Sequence, residues 1–320
     1  MNGRSSDPDA QGLQVVALFG PTSVGKSELA VALSERLAGA GRGSVLIAAD
    51  SMQLYQGLEL ISGAASSEQR ARADHRLLGC VPIDEEFSVA QYSELAHAEI
   101  DAALARGEQP IVVGGTGLYL QAALTEMPLR PPVADATEAA LQLRLQREGA
   151  EVLHQQLADH SQPAAARINV ADHRRLIRAL ALIEEGQSVD DQQGGIWTSQ
   201  MRHPTRLIGL VRSREQLYQR INSRVDEIAA AGGAAEVANA LSAGASRTAQ
   251  MALGFRELQN GDLDAMKQAT RRYAKRQLTW LKKLDSAELF DLDRRDGGEA
   301  ADEILAALGG PAAYSGADGT

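Results

Sequence analysis

Short apolar runs alternate with longer stretches of helical period along the first third of the chain. Gln14 to Gly20 is apolar, partly β-branched and closed by glycine, which predicts a buried strand. Ser27 to Ala38 places Leu29, Ala30, Leu33 and Leu37 on one helical face, and a glycine-rich turn at Gly39 to Gly43 ends it. A second strand is predicted over Ser44 to Ala49, stopping at Asp50. An amphipathic helix follows over Tyr92 to Ala105, then a third buried strand over Pro110 to Val113, closing at Gly114 and Gly115. Strands alternating with helices predict a parallel sheet with crossover helices.

The pattern then changes. Pro128 to Pro132 is a proline-rich break, and Ala134 to Gly186 reads as helix throughout. A second break falls at Gln192 to Gly195, a short strand at Leu207 to Val211, and helices over most of Glu215 to Leu284. The stretch beyond Asp285 is acidic and rich in Gly and Ala, and its last ten or so residues are expected to fray. The expected fold is therefore α/β, a P-loop core with a parallel sheet and flanking helices, interrupted by a helical insertion. The expected boundaries are 13–127 for the first part of the core, 128–200 for the insertion, 201–290 for the completion of the core and 291–320 for an acidic, partly disordered tail.

Composition narrows the function classes. Of 320 residues, 44% are hydrophobic and 23% charged, which fits a globular protein and excludes a disordered or collagen-like chain. The single cysteine, Cys80, excludes an internal disulfide and a cysteine metal cluster, and is expected as a small buried hydrophobe. No apolar run is long enough for a membrane span and the first twelve residues lack the apolar core of a secretory signal, so a cytoplasmic protein is expected, with a monomer as the default. The net charge of −10 argues against nucleic acid only as an average, since a basic face can coexist with it.

The strongest local chemistry is Gly20-Pro21-Thr22-Ser23-Val24-Gly25-Lys26-Ser27. It satisfies the phosphate-loop pattern with a strand before it and a helix after it. Backbone N–H groups wrap phosphate oxygens there, Lys26 adds a mobile positive charge, and Ser27 offers a hydroxyl to magnesium. Nucleotide hydrolases pair such a loop with a carboxylate ending a hydrophobic strand. Here the third strand ends in Gly114-Gly115-Thr116, and the carboxylate ends the second strand, within Asp50-Ser51-Met52-Gln53. Asp50 at that edge can hold metal or act as a general base, which favours a transferase over a motor or switch.

Two basic segments remain. Thr270 to Lys283 carries six cations and no acid, interleaved with Tyr273 and Trp280, and Arg167, Arg174, Arg175 and Arg178 fall in the insertion. Such arginines close on a transferring phosphate in a small-molecule or nucleoside kinase and grip a backbone in an RNA enzyme. Spacing leaves both open, together with an RNA-binding ATPase.

Taken in order, the motifs resemble the tRNA dimethylallyltransferases, also called tRNA isopentenyltransferases, over residues 14 to 284. The phosphate loop with its Gly-Pro-Thr opening, Asp50-Ser51-Met52-Gln53-Leu54-Tyr55, His75-Arg76-Leu77 and Val113-Gly114-Gly115-Thr116-Gly117-Leu118-Tyr119 are similar to the family's core motifs. Asp172-His173-Arg174-Arg175-Leu176-Ile177-Arg178 resembles its insertion helix, and Leu253-Gly254-Phe255-Arg256-Glu257-Leu258 and Ala274-Lys275-Arg276-Gln277-Leu278-Thr279-Trp280 resemble its C-terminal pair. The resemblance implies transfer of a dimethylallyl group from dimethylallyl diphosphate to the exocyclic N6 amine of the adenosine 3′ of the anticodon, in tRNAs reading codons that begin with U.

It also implies roles. Asp50 is the base; Thr116 and Arg256 hold diphosphate with residues 20–27; magnesium sits at Ser27. Asp50, Ser51, Met52, Gln53, Thr116, Arg174, Arg175, Leu176, Ile177, Arg178, Lys275 and Arg276 touch the tRNA anticodon arm. The runners-up are an adenylate isopentenyltransferase, with the same chemistry on a free nucleotide, and the kinase. The chain departs from the family where the usual Asp-Ile-Gly-Thr-Ala-Lys-Pro reads Glu59-Leu60-Ile61-Ser62-Gly63-Ala64-Ala65, and where an arginine common after the proline break gives way to Ala139 or its neighbours.

Overall fold

The computed structural model describes residues 13–127, 133–189, 200–284 and 286–308. Contacts divide the chain into two compact units, 128–198 and the segments that flank it. The proline-rich break, the break at 192–195 and the last ten residues of the tail lie outside the described residues.

The flanking segments form an α/β layer. β1 (Val15–Phe19) is buried at every position and runs through the phosphate loop into α1 (Lys26–Gly39). β2 (Ser44–Ala48) follows, then α2 (Glu59–Ser62), α3 (Ser67–Arg72) and β3 (Asp74–Arg76). Local pattern gives little sign of β3 because its three residues are polar and it lies at the sheet edge. α4 (Val89–Ala105), capped by Ser88, leads to β4 (Gln109–Gly114), which extends one residue beyond the expected strand at each end, and then to α5 (Gly117–Leu124).

In the unit 128–198, α6 (Asp135–Glu148), α7 (Ala150–His160), α8 (Gln162–Arg167) and α9 (His173–Glu184) enclose a core of Leu141, Leu153, Leu157, Leu176 and Leu180. Asp172 caps α9 by accepting the N–H of Arg175 at 3.2 Å. Leu176 and Ile177 are buried in this core at 0% and 7% exposure, which corrects their assignment as tRNA contacts: side chains turned inward there cannot reach a nucleic acid.

The chain returns through β5 (Thr205–Val211), α10 (Arg214–Ala230), α11 (Gly233–Ser242), α12 (Phe255–Gln259) and α13 (Leu263–Leu281). It does not end there. β6 (Glu288–Asp291) adds a sixth strand, and α14 (Gly297–Ala307) packs on α1. The acidic, partly disordered tail expected over 291–320 is thus ordered through residue 308. Its acids serve the fold, since Asp296 and Glu299 form a capping box, while Ala300, Ala301, Ile304 and Leu308 line one buried face. Cys80, expected buried, is exposed.

The sheet order is β3-β2-β4-β1-β5-β6, with every pairing parallel. β1 sits between β4 (Leu18 opposite Val113) and β5 (Leu18 opposite Ile208). The α/β class with a parallel sheet is as expected, and the carboxyl edge of β1, β2 and β4 is where such sheets bind ligands. Among the described residues, no helix is long and apolar enough to cross a membrane.

Candidate active site

Glycines let three strand ends converge. A Cβ on Gly114 would lie 2.1 Å from the Ala49 carbonyl oxygen, and one on Gly115 would lie 2.3 Å from Gln277 Nε2. Only bare backbone fits at either position. Gln277, 3% exposed, exploits the approach: its Nε2 donates to the Gly115 carbonyl and its Oε1 accepts the Thr22 N–H, both at 2.8 Å. One α13 side chain therefore ties the phosphate loop to the turn after β4.

The loop is shaped for an anion. No side chain caps the N terminus of α1, so its first N–H groups and the positive end of its dipole face the loop unpaired by a cap. Lys26 folds over the loop, donating from Nζ to the carbonyls of Gly20 at 3.0 Å and Pro21 at 2.9 Å. Val24 contributes backbone alone, its side chain being in the core. Ser23 holds a left-handed φ of 62°, and its hydroxyl is buried without a partner among the described residues. Arg220 Nε donates to the Ser23 carbonyl at 2.8 Å and fixes that turn from outside.

A cleft of about 870 Å³ opens above this loop. Thr22, Ser23, Gly25, Lys26 and Ser27 line it, with Asp50, Ser51, Met52 and Gln53 after β2, residues 59–66, and Arg224, Tyr273, Arg276 and Gln277 from α10 and α13. Leu60, Ile61, Ile228, Met251 and Leu253 give it an apolar side.

Burial and charge oppose one another in the cleft. Burial lowers the Lys26 pKa to about 8, against the pull of Asp50, which raises it. Burial raises the Asp50 carboxyl, while the Met52 N–H (3.2 Å) and the charges of Lys26 and Arg224 favour its ionised form. Burial likewise lowers the Arg224 pKa, which Asp50 and Glu227 partly restore. A carboxylate between two half-desolvated cations can accept a proton, and those cations can neutralise an arriving anion.

The structure brings together residues 50–53, most of the phosphate loop, and Arg276, whose guanidinium lies 5.4 Å from the Tyr273 ring centroid. Thr116 stands just behind the cleft wall, its Oγ1 3.2 Å from Tyr273 Oη. Lys275 is exposed on α13. Arg174 and Arg175 are exposed on α9, and Arg178 faces Glu138 at 4.0 Å. Arg256 is a correction. Phe255 and Leu258 are the buried face of α12, so Arg256 lies on its exposed side and does not line the cleft. The arginine that does face Lys26 and Asp50 is Arg224, which sequence reasoning missed. Its signal is faint: it lies one residue before Val225, on an α10 whose buried face is Leu217, Ile221, Val225 and Ile228.

A phosphate-loop motif, the Asp50 carboxylate and the half-buried Arg224 share one cleft, an arrangement that suits a transferase. Comparison with known proteins makes this specific: residues 53–284 match the family model described as IPP transferase, and the chain belongs to that family. It is 38% identical over 291 residues to a tRNA dimethylallyltransferase of Geobacillus thermodenitrificans, covering 87% of this chain and 90% of that one. It is 36% identical to a tRNA dimethylallyltransferase of Limosilactobacillus fermentum, covering 93% and 98%. The crystal structure of the full-length tRNA isopentenylpyrophosphate transferase from Bacillus halodurans superposes with a TM-score of 0.65 at 30% identity, covering 92% of this chain and 97% of that one.

Proposed function

We propose that this chain transfers the dimethylallyl group of dimethylallyl diphosphate to the exocyclic N6 amine of an adenosine in tRNA, the one 3′ of the anticodon. The observation that carries the reading is Lys26, Asp50 and Arg224 gathered in one cleft above the uncapped N terminus of α1. The diphosphate lies on the phosphate loop, with Lys26 and Arg224 against its oxygens. The apolar side at Leu60, Ile61, Ile228 and Leu253 receives the five-carbon chain.

A bond then forms from N6 to the first carbon of the dimethylallyl group as its bond to the diphosphate oxygen breaks. Asp50 takes the N6 proton, which lets the amine lone pair attack instead of delocalising into the ring. Charge accumulates on the departing diphosphate, so cations placed beforehand stabilise the transition state more than the ground state. The target base must leave its stack to reach the cleft, which a single-stranded anticodon loop permits at modest cost.

Magnesium fits this site. Ser27 lines the cleft, and its hydroxyl, with diphosphate oxygens and water, would hold the ion through the oxygen donors magnesium prefers. When bound it would supply further neutralisation of diphosphate charge.

The test is product identification. Purified protein, dimethylallyl diphosphate and unmodified tRNA should yield tRNA carrying one five-carbon unit on the adenosine next to the anticodon, with diphosphate released. Phosphate transfer from ATP to a small acceptor, with no prenylation of tRNA, would replace this reading with a kinase.

A further inference from the structure

Arg224 finds its seat over the end of α2. Gly63 closes α2 in the left-handed conformation, with φ 63° and ψ 44°. Its bare backbone lies directly under the Arg224 guanidinium: a Cβ there would stand 1.2 Å from Nη2, 2.3 Å from Cζ and 2.8 Å from Nη1. Two heavy atoms cannot share that space, so any side chain at 63 evicts the guanidinium or moves the loop.

The loop is the less free of the two. Glu236 on α11 accepts the N–H groups of Leu60 at 2.8 Å and Ile61 at 2.9 Å. Gln53 Nε2 donates to the carbonyls of Gly63 at 3.1 Å and Ser62 at 3.4 Å, and the Ala64 N–H returns to the Glu59 carbonyl at 3.1 Å. Arginine, by contrast, has a long side chain with several rotamers at little energetic separation. The guanidinium is what gives way.

We infer that Gly63 is a positioning residue for the reaction: its missing side chain leaves the space that aims Arg224 at the diphosphate. This rests on the assignment of Arg224 as a diphosphate ligand, and a double-mutant cycle separates the two claims. Single-turnover rates and dimethylallyl diphosphate affinity are measured for wild type, Gly63→Ala, Arg224→Ala and the double variant, with melting temperature alongside. Gly63→Ala should lower the efficiency with dimethylallyl diphosphate by about 10- to 100-fold, the span of one charge-assisted contact. Affinity for tRNA should stay unchanged. In the Arg224→Ala background the same substitution should cost nothing further, because no guanidinium remains to displace.

Gly63→Asn is the companion variant, since asparagine accepts a left-handed backbone more readily than alanine and fills the same space. It should repeat the loss with less effect on melting temperature, which distinguishes blocked space from backbone strain. Equal losses in both backgrounds, or wild-type kinetics in Gly63→Ala, would overturn the role of Gly63 and leave Arg224 in place. Wild-type kinetics in Arg224→Ala would overturn the underlying assignment instead.

Discussion

The two units of this chain use arginine in opposite ways. In the α/β unit, Arg224 is half-buried in the cleft, its positive charge disfavoured by burial and offset by Asp50 and Glu227. In the helical unit, Arg174 and Arg175 stand in solvent, the Arg175 side chain 68% exposed, on a helix whose other face is a plain core of Leu, Ile and Ala. A desolvated charge interacts strongly with whatever enters its cleft, because the local dielectric is low. A hydrated one acts weakly and additively, and salt screens it. The first arrangement suits stabilising charge on a reacting group; the second suits gripping a polyanion at many points. Under the proposed function, the first unit would carry the chemistry and the second the grip on tRNA.

That division can be broken experimentally, and the largest effect is expected at Asp50. Asp50→Asn should lower single-turnover rate by about 100- to 10,000-fold, the range for a lost general base, with tRNA affinity nearly intact. Near wild-type turnover would remove Asp50 from the mechanism. Lys26→Ala should cost about 100- to 1,000-fold, as when one electrostatic partner of the transition state is removed. A loss confined to tRNA affinity would place Lys26 outside the diphosphate site.

The C-terminal helix offers a contrasting readout, in stability instead of rate. Ile304 is 1% exposed between α14 and the sheet-side core, so Ile304→Ala should destabilise the α/β unit by about 2–5 kcal/mol in denaturant unfolding. An unchanged midpoint would return residues 297–307 to the status of a tail.

Smaller effects belong to the helical unit. Arg174→Glu with Arg175→Glu should weaken tRNA binding and flatten its salt dependence. The slope should change by about 0.9 for each duplex phosphate no longer neutralised, or about 0.7 on single strands. Affinity for dimethylallyl diphosphate, measured without tRNA, should hold. An unchanged salt slope would move the grip elsewhere on the chain.

The smallest effect sharpens the electrostatic half of the comparison. Lys26 must be protonated to draw an anion, and its pKa in the free protein is lowered to about 8. Diphosphate affinity should therefore fall as pH rises through about 8, where an unperturbed lysine would stay charged. The acid limb runs the other way: turnover should fall on acidification as Asp50 protonates, earlier than for an ordinary aspartate because burial raises its pKa. A flat affinity between pH 7 and 9 would contradict the desolvation of Lys26.

What the sequence reveals and hides follows from how local each signal is. The phosphate loop, Asp50 and the buried strands β1, β2 and β4 are contiguous patterns, and each stands where its pattern predicts. Arg224 and Gln277 are different. Their roles depend on α10 and α13 folding back onto the loop, across separations in sequence that no local period records. Leu176 and Ile177 carry a signal the sequence does contain: with Leu180 they occupy one apolar face of α9, which marks core. α14 was hidden by composition, since its capping acids and small alanines read as tail until Ile304 and Leu308 are placed against α1.

The central claim is that a cleft built for prenyl transfer serves tRNA and no smaller acceptor, because the helical unit supplies grip that a free nucleotide cannot use. The most direct measurement is acceptor preference: kcat/KM for an anticodon stem-loop against kcat/KM for AMP, with dimethylallyl diphosphate saturating. We expect a ratio far above one, since AMP makes none of the backbone contacts that offset its ordering cost. A ratio at or below one would contradict the account and make the chain an adenylate isopentenyltransferase.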